Sequence, residues 1–397
     1  MTTQQLPGQP NLEQLKRQAK DLLRSAKSQE PAALQRMRSL PAFASLEPNQ
    51  IASAAFALHD AQSVVAREYG FVSWNALRER VEELTLQFAD ALQEFVLAAT
   101  DGRVGRAERL LALHPRIPQA SFPAALLLGD VERVETFLHT DAALAGRKGG
   151  AREWEPLLYV CHSSLGQSKA ANADGFVTIA RRLIALGADP NSRFPWFHHG
   201  VQRAVLWGAV CVTRSLPLAQ VLLQAGANPN DGVTLTIAAS GGDLPALELL
   251  IAHGADVNFP WATDGSSPLY SILGWSRKAA GPVWLLEQGA DPRPAFGKEA
   301  ETALHVAARK WDVPLVEALV RHGADVTARR ADGRTAYVLA ELNNNVAVAE
   351  WLLAHGSPTD ITEFDRFVAA CSRGDRRAAE AALAAHPELR AEIKPEH

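Results

Sequence analysis

The chain has 397 residues, 47% of them hydrophobic, ample for a large buried core. A formal net charge of −4 argues against nucleic-acid binding by the whole chain, leaving only a local basic face, and three cysteines supply neither a disulfide framework nor paired metal-ligand spacing. The opening MTTQQLPGQPNLEQLKRQAK lacks the apolar run of a signal peptide, and no apolar stretch reaches the roughly 18 residues of a membrane helix, so a soluble cytoplasmic protein is expected.

Residues 1–10 are expected to be disordered and residues 11–88 to form a helical module. NLEQLKRQAKDLLRSAKS puts Leu12, Leu15, Ala19, Leu22 and Leu23 on one stripe, with Lys16, Lys20, Arg24 and Lys27 outward or flanking it. A short helix follows near residues 32–40. One helix through IASAAFALHDAQSVVAREYG ends at Gly70, and Ser73 caps the next, WNALRERVEEL. The run from Leu58 through His59, Asp60, Tyr69, Gly70, Phe71 and Trp74 resembles the helical module that precedes repeats in many bacterial proteins. Two roles are open for it: a cap over the first repeat with Phe71 and Trp74 as core plugs, or a docking module using its basic helix face.

From residue 89 to 390 the chain repeats itself. Apolar helices end at Gly187, Gly226, Gly254, Gly289, Gly323 and Gly356, in steps of 39, 28, 35, 34 and 33 residues. Glycine suits such a stop because the residue there takes positive φ. The apolar pair before each stop, such as Leu285–Leu286 and Leu352–Leu353, is expected to pack inward. Upstream of each stop lies a first helix, as in TALHVAAR and TAYVLAEL; Thr302 to Gly323, Thr335 to Gly356 and Val233 to Gly254 are each 21 residues. Weaker copies around Gly102, Gly129 and Gly374 bring the count to nine. Residues 391–397 form a tail.

These units resemble ankyrin repeats. Thr302-Ala303-Leu304-His305-Val306-Ala307-Ala308 keeps the family's first-helix signature, and Gly254 to Asn258 keeps its stop. Asp141 and His114 depart from the stop glycine, and Trp311 from the glycine between helices. The fold expected is all-α, an ankyrin-repeat solenoid of about nine helix-turn-helix units behind a helical N-terminal cap. Stacking explains the repetition, since one pair cannot bury its apolar side alone. Arg373, Asp375, Arg376, Arg377 and Glu380 supply a polar closing face. The resemblance implies that His305 hydrogen-bonds turn backbone.

No nucleophile elbow, phosphate loop or His-Glu-x-x-His motif occurs, and no cofactor or metal site is expected. Cys161, Cys211 and Cys371 fall at packing positions of first helices. The unshared features are more informative. The turn after Gly187, ADPNSRFPWFHHGVQR, is about five residues longer than its neighbours and carries Phe194, Trp196, Phe197, His198 and His199. Adjacent turns add Trp154, Trp261 and Asp264; first helices add Trp207 and Trp275, the latter followed by Arg277 and Lys278. In an ankyrin array these positions face a groove, and exposed aromatics are typical binding anchors. The groove reading is non-catalytic recognition of a protein partner, with the rings as anchors and Asp264, Arg277 and Lys278 tuning specificity. Two rivals stand beside it: a small-molecule or catalytic pocket beside residues 188–203 with His198, His199 and Asp264 as titratable members, and long turns that fold back to bury their own rings. The insertion SSLGQSKAANADGF, residues 163–176, reads as a surface loop at the opposite end from these turns.

Overall fold

A computed structural model describes residues 4–196 and 201–392. The chain divides into two compact units, one running to Ala124 and including Gly150–Arg152, the other comprising Ala125–Gly149 and the chain from Glu153 onward.

In the first unit, the helix Leu12–Lys27 buries Leu15, Ala19, Leu22 and Ala26, the stripe set by its apolar spacing. It packs on the helix Leu58–Glu68, whose Ala61, Val64 and Val65 are fully buried. The single helix expected through residues 51–70 is instead two, Pro48–Ala52 and Leu58–Glu68. The break lets Phe56 turn into the core, and the Asp60 carboxylate takes the Ala57 N–H at 2.9 Å to start the second helix. Ser73 caps the helix Trp74–Thr85 through the Ala76 N–H, as its position before an apolar run requires. That helix carries Glu83, whose buried carboxylate holds Arg109 of the helix Val104–Leu113 by hydrogen bonds of 2.7 and 2.9 Å. A charge-assisted pair thereby ties the module to the first helix pair, Phe88–Thr100 with Val104–Leu113.

The second unit is a solenoid of stacked helix pairs. Among them are Pro156–Cys161 with Ala173–Ala185, Thr234–Gly241 with Leu244–Ala252, and Pro268–Trp275 with Ala280–Glu287; then come Ala303–Lys310 with Val313–Arg321, Ala336–Leu342 with Val346–Ala354, and Glu363–Ser372 with Arg376–Ala385. The six stop glycines take φ between 84° and 100°. Where His114 and Asp141 stand instead, the chain leaves with negative φ, −129° and −149°, so no Cβ meets that strain. First helices approach closely through their small pairs: Ala239, Ala307 and Ala308 are fully buried. Trp311, in place of glycine, is also buried and donates its indole N–H to the Leu273 carbonyl at 2.9 Å.

Two kinds of rung tie successive units at their turns. In the first part, asparagines bridge backbone to backbone. Asn191 donates to the Gly226 carbonyl at 3.0 Å and accepts from the Asn228 N–H; Asn230 does the same with Gly254 and Asp256, and Asn258 with Gly289 and Asp291. In the last units ionic rungs join them, Glu301 to Arg330 at 2.5 Å, Arg334 to Asp365 at 2.6 Å, and Glu341 to Arg373 at 2.6 Å, beside the Asn345 amide, which donates to the Ala308 and Trp311 carbonyls.

Three expectations change. Leu353 is 53% exposed although its neighbour Leu352 is fully buried, because adjacent residues point about 100° apart and the next outer helix, Arg376–Ala385, buries no residue. Cys371, expected as core filler, is exposed for the same lack of cover, whereas Cys161 is fully buried and Cys211 half-buried. The insertion at 163–176 is not a plain surface loop: Ser163 and Leu165 are fully buried. Ser163 donates to the Leu127 carbonyl, while Gln167 donates to that of Thr213, so the insertion is sewn to both neighbours.

Candidate aromatic and arginine site

The long turn folds as a two-stranded hairpin, Arg193–Pro195 paired antiparallel with Gln202–Ala204. Side chains alternate along a strand, and residues paired across a hairpin share a face. Phe194 and Trp196 therefore lie on one side, and Arg203, the partner of Phe194, joins them. The chain then enters a short helix at Val205 that carries Trp207 and continues as a π-helical turn, Gly208–Val212.

These side chains meet those of the preceding unit. Trp154 stacks tilted against Phe194 with ring centroids 4.2 Å apart, and His162 lies edge-on to Phe194 at 5.0 Å. His162 is also stacked over Trp207 at 5.6 Å, and the Tyr159 ring is 5.5 Å from Trp154. The Arg203 guanidinium sits between two indoles, 3.1 Å from the Trp196 ring centre and 3.8 Å from that of Trp207. Gly208 makes this packing possible: a Cβ there would lie 2.6 Å from the His162 ring.

The electrostatics follow from burial. Burial pushes His162 down to about 3 and the nearby Arg203 charge adds to that, against the hydrogen bond from the ring to the Leu158 carbonyl. The imidazole is therefore neutral at physiological pH. Burial also lowers Arg203, to about 10, which leaves it charged. Nε2 of His162 and Nε1 of Trp207 are buried without a hydrogen-bond partner. Arg203 makes neither a hydrogen bond nor an ion pair among the described residues.

Of the residues expected at a site, Trp154, Phe194, Trp196 and Trp207 come together. Phe194 and Trp207 are buried in the cluster, so self-packing accounts for those two; Trp154 and Trp196 stay half-exposed. Phe197, His198 and His199 lie outside the described residues. Trp261 and Trp275 make no ring contact with the cluster among the described residues, although Trp275 is 49% exposed. Asp264 is engaged by its own turn, accepting from the Ser266 N–H and hydroxyl. Lys278 reaches back to the Gly241 carbonyl at 2.7 Å, and Arg277 is exposed. His162, Tyr159 and Arg203 were not expected. Reading the FPW and VQR stretches as paired strands would have found Arg203, but nothing local marks His162.

A family model described as ankyrin repeats matches residues 282–365 in three copies. The chain carries ankyrin repeats. Ankyrin repeat and SOCS box protein 6 of Homo sapiens is 31% identical over 210 residues, covering 47% of this chain and 48% of that protein. The ARF GTPase-activating protein Git of Drosophila melanogaster is 41% identical over 69 residues, 17% of this chain and 9% of that protein. A solved structure of the human ASB11 ankyrin repeat domain aligns with a TM-score of 0.44 at 23% identity, covering 60% of this chain and 98% of that one. The chain spans about half the length of the first of these relatives. Within the ankyrin array, the signature His305 bonds Thr302 at its own helix start and the Ala328 carbonyl of the next turn at 3.1 Å. No helix among the described residues is long and apolar enough to cross a membrane.

Proposed function

We propose that the ankyrin array recognises a protein partner through the aromatic turn cluster of Trp154, Phe194, Trp196, Arg203 and Trp207, with Trp261, Trp275, Arg277 and Lys278 as outlying contacts. The observation that carries this reading is the half-exposed Trp196 ring held over Arg203 on a hairpin longer than its neighbours. Rigid aromatic anchors lose little conformational freedom on binding, and buried Phe194 and Trp207 hold the exposed rings in place. The ankyrin frame supports the same reading, because it presents variable side chains at fixed positions.

The test is capture from the native cell, comparing the wild type with a Trp196→Ala, Trp261→Ala double variant whose folding is verified by circular dichroism. The expected result is loss of specific partners by the double variant. Retention of every specific partner overturns the proposal.

A further inference from the structure

We propose that Arg203 is the docking point for a carboxylate of the partner, so that the segment recognised is acidic; this rests on the protein-recognition reading above. The guanidinium carbon lies over both the Trp196 and the Trp207 rings, and the N–H edge makes no hydrogen bond or ion pair among the described residues, which leaves that edge available for bonding. That edge is the part that pairs with a planar carboxylate through parallel hydrogen bonds. It has no acceptor among the described residues, and the buried indole N–H of Trp207 beside it has none either.

The charge pattern around it points the same way. Between residues 183 and 292 the cations are Arg193, Arg203, Arg214, Arg277 and Lys278, and none has a carboxylate partner among the described residues. The two arginines that bracket this stretch are paired, Arg182 with Glu135 and Arg293 with Asp291. The stretch does not lack anions. Besides Glu248 and Glu287 it holds six aspartates, of which five accept from backbone N–H groups, Asp189 from Asn191, Asp231 from Val233 and Thr234, Asp243 from Ala246, Asp256 from Asn258, and Asp264 from Ser266, while Asp291 pairs with Arg293. Five of the aspartates thus cap turns and helices, and none of the carboxylates here pairs with Arg193, Arg203, Arg214, Arg277 or Lys278 among the described residues. Arg203 differs from the other four in being held by rings, so a carboxylate meets a cation already oriented.

A peptide fits better than a polyanion. One ring-held guanidinium beside half-exposed indoles offers a single ionic contact surrounded by apolar surface, whereas a nucleic acid needs a row of phosphate contacts. The test is selection of random dodecapeptides displayed on phage against the full chain, followed by affinity measurement on the wild type, Arg203→Gln and Trp196→Ala, each verified as folded. Selected peptides are expected to share an Asp or Glu beside an apolar residue. Arg203→Gln weakens them by about tenfold or more, as does changing that acid to its amide, and the two changes together cost little more than either alone. Peptides without a shared acid, bound equally by Arg203→Gln but lost by Trp196→Ala, overturn the carboxylate contact and leave the recognition reading standing. Failure to select any peptide that distinguishes the wild type from the two variants overturns both.

Discussion

His162 sits where a charge is least welcome, buried among rings and close to a guanidinium. An unfolded chain protonates this imidazole near its ordinary value of 6.5, whereas the folded chain does so only at about 3. Between those values the unfolded state holds more protons, so stability falls as pH drops from 6.5 toward 3 and is unaffected by this group above that range. His162→Gln is expected to flatten the fall, read as the urea midpoint followed from pH 7 to pH 4. An unchanged acid slope sinks this account of the residue. His162 also marks the limit of sequence reading at this scale. Trp154, eight residues back, lies 5.6 Å from its ring, but the rings that complete the cluster, Phe194 and Trp207, come from more than thirty residues further on. Trp196 and Phe194 were legible for the opposite reason: bulky rings in an exposed turn demand either a partner or mutual packing, and here they show some of both.

Elements stack here at distances set by single missing side chains. A Cβ on Gly281, near the start of the helix Ala280–Glu287, would lie 1.8 Å from the Ala239 carbonyl oxygen of the unit before. Gly175 repeats the arrangement against the Gly129 carbonyl, at 2.0 Å. Backbone cannot yield as a flexible side chain can, so Gly281→Ala is expected to destabilise the chain by about 3 kcal/mol, the upper range for overpacking. Gly241→Ala is the control: open space surrounds it at a helix end, and the change should be neutral or stabilising by under about 1 kcal/mol. Denaturant midpoints decide between them, and equal effects would remove close approach as the cause. Helix stops were readable because Gly254 and its equivalents carry both a conformational need and a regular spacing. The break at residues 53–57 was not, since helix-forming alanines flank it and only the burial of Phe56 requires it. Leu353 failed similarly: its pattern matches Leu286, but the neighbour that covers one does not cover the other.

Between residues 191 and 291 the turns are bridged by asparagines and from Glu301 onward they gain ionic rungs, which divides this part of the array by how it answers its solvent. Amide bridges such as Asn230 carry no net charge, so ionic strength and mild acid leave them intact. Glu301 behaves otherwise. Burial alone would raise it, but the hydrogen bond from Arg309 and the charges of Arg309 and Arg330 outweigh that and hold it below its ordinary 4.5. Its contribution is present above that value and disappears as pH falls through the lowered one. Hydrogen exchange in concentrated salt, or near pH 4, is expected to speed first in the helices from Ala336 onward, while Leu244–Ala252 keeps its protection. Uniform acceleration would refute the division. The consequence reaches the aromatic turn: on its C-terminal side the joint is the uncharged Asn191 bridge, so brine that strips a charged visitor leaves that side of the mount in place.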